Sequence, residues 1–164
     1  CYTLPNITIE KEIPIMTRYE QAVAYHKKGF NCNQSLLASF ADITGMTEQE
    51  CFDLGAGFGA GAVTGELCGA LTGGIMVLGK ATPVDPADPV GSKRRTGALG
   101  KEFQARFEAK YGSLRCTPLL KTEIKPETSA AAMEVGTTNR CEILILAAIE
   151  IVEEILAERQ AANG

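Results

Sequence analysis

The sequence predicts an all-α fold, a single helical-bundle domain of five or six helices preceded by an extended N-terminal arm. Three observations carry that expectation. Apolar residues recur at helical spacing in the long segments, as with Leu99, Phe103, Phe107 and Tyr111, which lie four apart and share one helix face. Helix-start signals precede the segments: Thr17-x-x-Glu20, Asn31-x-x-Gln34, Thr47-x-x-Glu50 and Asn139-x-x-Glu142 each set a capping side chain three residues before Glu or Gln. Strand-like alternation is confined to Ile7 and Ile9 near the start of the chain.

Composition narrows the class further. With 164 residues, 45% of them hydrophobic, the chain can bury one ordinary core without disulfide staples. A net charge of -4, and no basic run longer than Lys93-Arg94-Arg95, argue against a nucleic-acid partner. Residues 55 to 79 are long enough to span a bilayer, but Glu66 near their middle costs about 2.5–3.5 kcal/mol there. The apolar run Ile143 to Ile149 is too short to span, so the chain is not expected to be transmembrane. No signal peptide is visible. A start at Cys1 reads as truncation or processing and leaves export open. Six cysteines in a chain of this size fit a reducing, cytoplasmic setting, with thiols kept for chemistry or metal. The absence of Cys-x-x-Cys-His excludes covalent haem.

Residues 1–16 form the expected arm, since Pro5 and Pro14 resist helix, and residues 17–164 the helical domain. The first helix starts at the Thr17 cap, carries Tyr19, Ala22, Val23 and His26 on its apolar stripe and ends at Gly29. His26, a single histidine with no placed partner, reads as packed or partly wet rather than as a ligand or base. The Asn31 cap puts Cys32 at the first helical position, ahead of Leu36, Phe40 and Ile43 on an inward face. A thiol there is stabilised as thiolate by free N–H groups. The Thr47 cap starts a short helix that turns Cys51, Leu54 and Phe58 inward, with Cys51 as plain core.

The glycine-rich stretch Gly55 to Gly79 follows. Gly55 to Ala60 matches a dinucleotide fingerprint in form only, because a helix precedes it and no acidic residue lies at the required distance. Thr64 is expected to cap a helix from about Gly65 to Leu78 with Cys68 in its first turn, and Thr82 to Val90 reads as a stiff connection. A long helix covers about Ser92 to Tyr111. Cys116 sits just before a Thr117-Pro118 helix start, and Lys121 to Thr128 reads as loop. Cys141 is the second residue of a terminal helix reaching about Arg159.

Cys32, Cys68, Cys116 and Cys141 thus all fall at helix starts, where sulfurs and N–H groups can face a common centre that holds thiolates or other anions. Their spacing matches no zinc ribbon or ferredoxin run. Gly29-Phe30-Asn31-Cys32-x-Gln34-Ser35, Gly57-Phe58-Gly59-x-Gly61, Cys68-Gly69-Ala70-Leu71-Thr72-Gly73, Tyr111-Gly112-Ser113-x-x-Cys116-x-x-Leu119-Leu120 and a Cys141 opening the last helix resemble the C-GCAxxG-C-C family of redox-active proteins. The resemblance covers about residues 17 to 158. It implies a redox role for the four cysteines and, through the split-Soret cytochromes that carry an iron-sulfur cluster in a similar domain, a cluster here. Cys1 and Cys51 are extra to that pattern, and no haem site is present.

Three functions compete. In the first, Cys32, Cys68, Cys116 and Cys141 ligate an iron-sulfur cluster, most simply [2Fe-2S], for electron transfer, and Gly59, Gly69 and Gly73 let the backbone close around it. The second is a thiol-disulfide protein in which Cys32 or Cys68 attacks. Third comes a structural zinc site or a plain helical scaffold. A redox partner protein is implied, its identity unspecified. An apolar last helix and glycine-rich surfaces favour a homodimer.

Overall fold

The computed structural model describes residues 15–164. The expected arm and Cys1 therefore lie almost wholly outside the described residues. Among the described residues there are nine α-helices: α1 Arg18–Lys27, α2 Cys32–Ser39, α3 Ala41–Thr44, α4 Glu48–Gly55, α5 Gly69–Ala81, α6 Pro89–Tyr111, α7 Cys116–Lys121, α8 Ala130–Val135 and α9 Arg140–Asn163. Six of them run to eight residues or more, which is the expected count; α3, α7 and α8 are single short turns of chain between them. The one strand-like feature among the described residues is an isolated antiparallel bridge between Leu67 and Arg115.

The last helix is the axis of the bundle. Helices α1, α2, α5, α6 and α8 all pack on α9, which is why its run from Ile143 to Ile149 is apolar all round and almost fully buried. Because that run is consumed inside the chain's own core, it no longer argues for a dimer. Helix α5 lies on α2 at close range: a Cβ on Gly69 would stand 3.1 Å from Asn33 N and from Cys32 Cβ, and one on Gly74 would strike the Phe103 ring at 2.4 Å. Small residues on α5 are thus what bring α2 and α6 together over α9. No helix of the described residues is long and apolar enough to cross a membrane.

The helix starts form largely as the capping signals require. Thr17 accepts from Glu20 N, and Asn31 and Thr47 each complete a reciprocal capping box with Gln34 and Glu50. Helix α6 begins earlier than expected, at Pro89, because the Asp88 side chain caps it and proline suits the first helical position. Two inward assignments are corrected: Ile43 and Leu54 are exposed. The chain breaks at Phe40 between α2 and α3, which rotates Ile43 off the inward stripe.

A larger correction concerns Thr64, which does not cap a helix. Ala60, Gly61, Ala62 and Val63 all have positive φ, a left-handed turn that costs non-glycine residues about 1–2 kcal/mol each. Thr64 instead donates to Gly61 O at 3.3 Å, and α5 starts only at Gly69 with Cys68 as its N-cap. Backbone pairing holds the turn down: Glu66 N donates to Gly61 O (3.1 Å), Cys116 N to Glu66 O (2.7 Å) and Cys68 N to Leu114 O (2.9 Å).

Candidate functional site

Four separate elements bring their cysteines to one cavity of about 330 Å³. Cys32 is the first residue of α2, Cys68 the N-cap of α5, Cys116 the first residue of α7 and Cys141 the second residue of α9. Phe30, Leu119 and Leu144 supply apolar wall, and His26 completes one side. Cys51 is elsewhere, fully buried in the core. All five described cysteines are free thiols.

Each thiol is placed by local chemistry. Beyond its capping box, Asn31 donates through Nδ2 to Gly55 O (3.0 Å) and Ala56 O (3.1 Å), tying the start of α2 to the end of α4. The Leu67–Arg115 bridge joins the segments that carry Cys68 and Cys116, and it is flanked by a two-point ion pair of Arg115 with Glu66 (3.0 and 2.9 Å). The left-handed turn presses against the start of α7, since a Cβ on Gly61 would sit 2.9 Å from Cys116 Cβ and one on Gly65 2.1 Å from Thr117 Oγ1. Of the three glycines assigned to closure around a cofactor, Gly69 lines the cavity. Gly59 and Gly73 abut Asn31 and Asn33, where they let chain segments meet α2.

The thiols are electrically unequal. A hydrogen bond from Cys32, assisted by nearby His26 and Arg140 against the cost of burial, brings Cys141 down to about 6. Cys32, as the donor of that bond and a buried group, is held well above the ordinary thiol range. Burial pushes Cys68 up to about 11, opposed by the Ala70 and Leu71 amides at the head of α5. Cys116 is raised by burial and by Cys141. The direction of these shifts draws Cys141 toward thiolate and holds its three neighbours toward the thiol form. Helix position gives each sulfur similar N–H groups; depth and neighbours decide between them.

His26 is packed and partly exposed, and it lines this cavity. Its Nδ1 lies 3.1 Å from Glu142 Oε1. A ring nitrogen of His26 and the sulfurs of Cys32 and Cys141 all fall within 4.8 Å of one another, close enough to hold a metal ion. The sequence offered one overlooked signal, the short separation of His26 from Cys32 across the tight turn at Gly29 (φ 103°).

Free soft donors in a mainly apolar, partly open setting fit a metal or a metal-sulfur group chemically, and among the described residues no carboxylate lines the Cys68 and Cys116 side of the cavity. Fold and site together define an all-helical protein with a partly buried thiol centre assembled from four helix starts. Residues 30–155 match the protein family described as "Putative redox-active protein (C_GCAxxG_C_C)", and the chain belongs to that family. No curated protein and no solved structure matches the chain.

Proposed function

We propose that this protein is an electron-transfer module whose Cys32, Cys68, Cys116 and Cys141 hold an iron-sulfur cluster, most simply [2Fe-2S]. The observation that carries the reading is the convergence of four free thiols, from four elements distant in sequence, on one cavity. A bound cluster would supply one-electron transfer at this position. Two pairs of sulfurs serve it: Cys32 with Cys141, joined by their hydrogen bond, and Cys68 with Cys116, joined through the backbone bridge. Phe30, Leu119 and Leu144 give the sulfurs an apolar wall on a cavity that stays partly open, and Gly69 leaves room beside Cys32. Anaerobic purification followed by iron and acid-labile sulfide assays tests it. Iron and sulfide in equal amounts are expected; zinc alone, or thiols with no metal, would contradict it.

A second reading has its own observation. The depressed Cys141 beside a protonated Cys32 is the arrangement of an attacking thiolate with a resolving thiol. In a thiol-disulfide protein Cys141 would attack the partner's disulfide and Cys32 would resolve the mixed disulfide, leaving Cys32 and Cys141 joined and the partner reduced.

A further inference from the structure

Glu142 stands three residues after the Asn139 cap, where a capping box would turn its carboxylate back to Asn139 N. Asn139 does accept from Glu142 N (3.2 Å), yet the carboxylate goes elsewhere. One oxygen meets His26 Nδ1, and the other accepts from the Thr137 hydroxyl. Asn139 N, released from Glu142, donates to Thr137 Oγ1 instead (3.2 Å). Glu142 is only 3% exposed, and a carboxylate so deep is costly unless its oxygens are partnered. Here both oxygens are partnered in a way that fixes one imidazole.

That fixation has a direction. With Nδ1–H given to Glu142, the lone pair of the imidazole resides on Nε2, and carboxylate-held histidines of this kind are the usual nitrogen ligands of metal sites. Zinc-class ions hold nitrogen at about 2.0–2.1 Å and thiolate sulfur at about 2.3 Å, so donors of one tetrahedral ion stand about 3.5–3.8 Å apart. A His26 nitrogen, Cys32 Sγ and Cys141 Sγ lie within 4.8 Å of one another, so side-chain closure of about 1 Å brings them onto one ion. Cys68 and Cys116 are not members of this group.

We infer that His26, Cys32 and Cys141 form a three-donor corner that binds a single divalent ion of the zinc and cobalt class, with Glu142 and Thr137 holding the imidazole in place. The mixed nitrogen and sulfur set suits such an ion, and a tetrahedral ion on three protein donors keeps its fourth position for solvent or an incoming ligand. This corner shares Cys32 and Cys141 with the cluster reading, so the ion binds the cluster-free protein and excludes a cluster while it is bound; its test needs neither Cys68 nor Cys116.

The test uses the full chain, reduced and freed of metal under anaerobic conditions. Co2+ is titrated into wild type, a Cys68→Ser/Cys116→Ser double variant, His26→Gln and Glu142→Gln, with thiolate-to-cobalt and ligand-field absorption as readouts and circular dichroism as the folding control. The double variant cannot hold a four-thiolate cluster, yet it is expected to bind Co2+ as wild type does. Glu142→Gln should weaken binding about 10-fold or more, and His26→Gln further, with loss of the tetrahedral band. Since His26 is the single histidine, 15N spectra of the unaltered protein read it directly, and Zn2+ should shift Nε2 in particular. An Nε2 signal unmoved by bound Zn2+, Co2+ affinity unchanged in a folded His26→Gln, or binding abolished in the folded double variant would each overturn the inference.

Discussion

Cys32 and Cys141 stand on the first turns of two side-chain-capped helices beside a histidine and a buried carboxylate, whereas Cys68 and Cys116 hang on a short backbone pairing next to a strained turn. The first end of the cavity is polar and tuned: one thiol is drawn down to about 6 and its neighbour driven up. At the second end burial dominates, and both thiols are raised. One residue type therefore has two characters within a single cavity. What separates them is the company each sulfur keeps, since all four lie at helix starts.

Serine substitution gives the largest effect and tests whether the two ends serve one centre. Loss of any one of Cys32, Cys68, Cys116 or Cys141 is expected to abolish cluster retention, read as loss of anaerobic visible absorption. Cys51→Ser is expected to retain it, at a stability cost of about 1–2 kcal/mol from a hydroxyl left in the core. Retention in Cys116→Ser would split the ends into separate sites.

Alkylation of the reduced, metal-free protein sharpens the contrast. Only thiolate reacts, so the rate at Cys141 should climb through pH 6 and level off by about pH 7, while that at Cys68 should still be rising past pH 9. At pH 7 the thiolate fractions differ by about 10⁴, and the lower nucleophilicity of an acidic thiol reduces the expected rate ratio to about 10². Peptide mapping after a short iodoacetamide pulse measures it, and equal labelling of Cys68 and Cys141 would erase the distinction.

The second end should be the more fragile mechanically. Gly65→Ala forces a left-handed alanine into the Thr117 hydroxyl and is expected to cost about 2–3 kcal/mol in denaturant unfolding. Gly57→Ala, where a Cβ meets nothing, should stay within about 0.5 kcal/mol. Smallest of all is Arg115→Met. The pair with Glu66 is exposed on both sides, so its removal should change stability by about 0.5 kcal/mol and leave the backbone bridge to hold Cys68 and Cys116.

The same contrast explains what was legible in the sequence. Caps are local, so the starts of α2, α4 and α9, and with them the helix positions of Cys32 and Cys141, could be read directly from Asn31, Thr47 and Asn139. The pairing of residues 66–68 with 114–116 joins segments far apart in the chain and leaves no periodic trace, so the left-handed turn was hidden and Thr64 looked like a cap. Helix α8 is too short to carry a periodic signal and packs on α9 through Ala131 and Ala132. Glu142 matched a capping pattern that its carboxylate does not follow, and that departure marks the place where His26 joins the cavity.

Native mass spectrometry of the full chain, purified anaerobically, tests the central claim most directly, because it weighs what the four thiols hold and counts the chains that hold it. The account predicts a mass increment of one [2Fe-2S] core per chain, lost in Cys32→Ser and Cys116→Ser alike. An increment of a single zinc ion, or a bare chain in which Cys32 and Cys141 are joined as a disulfide, would contradict it.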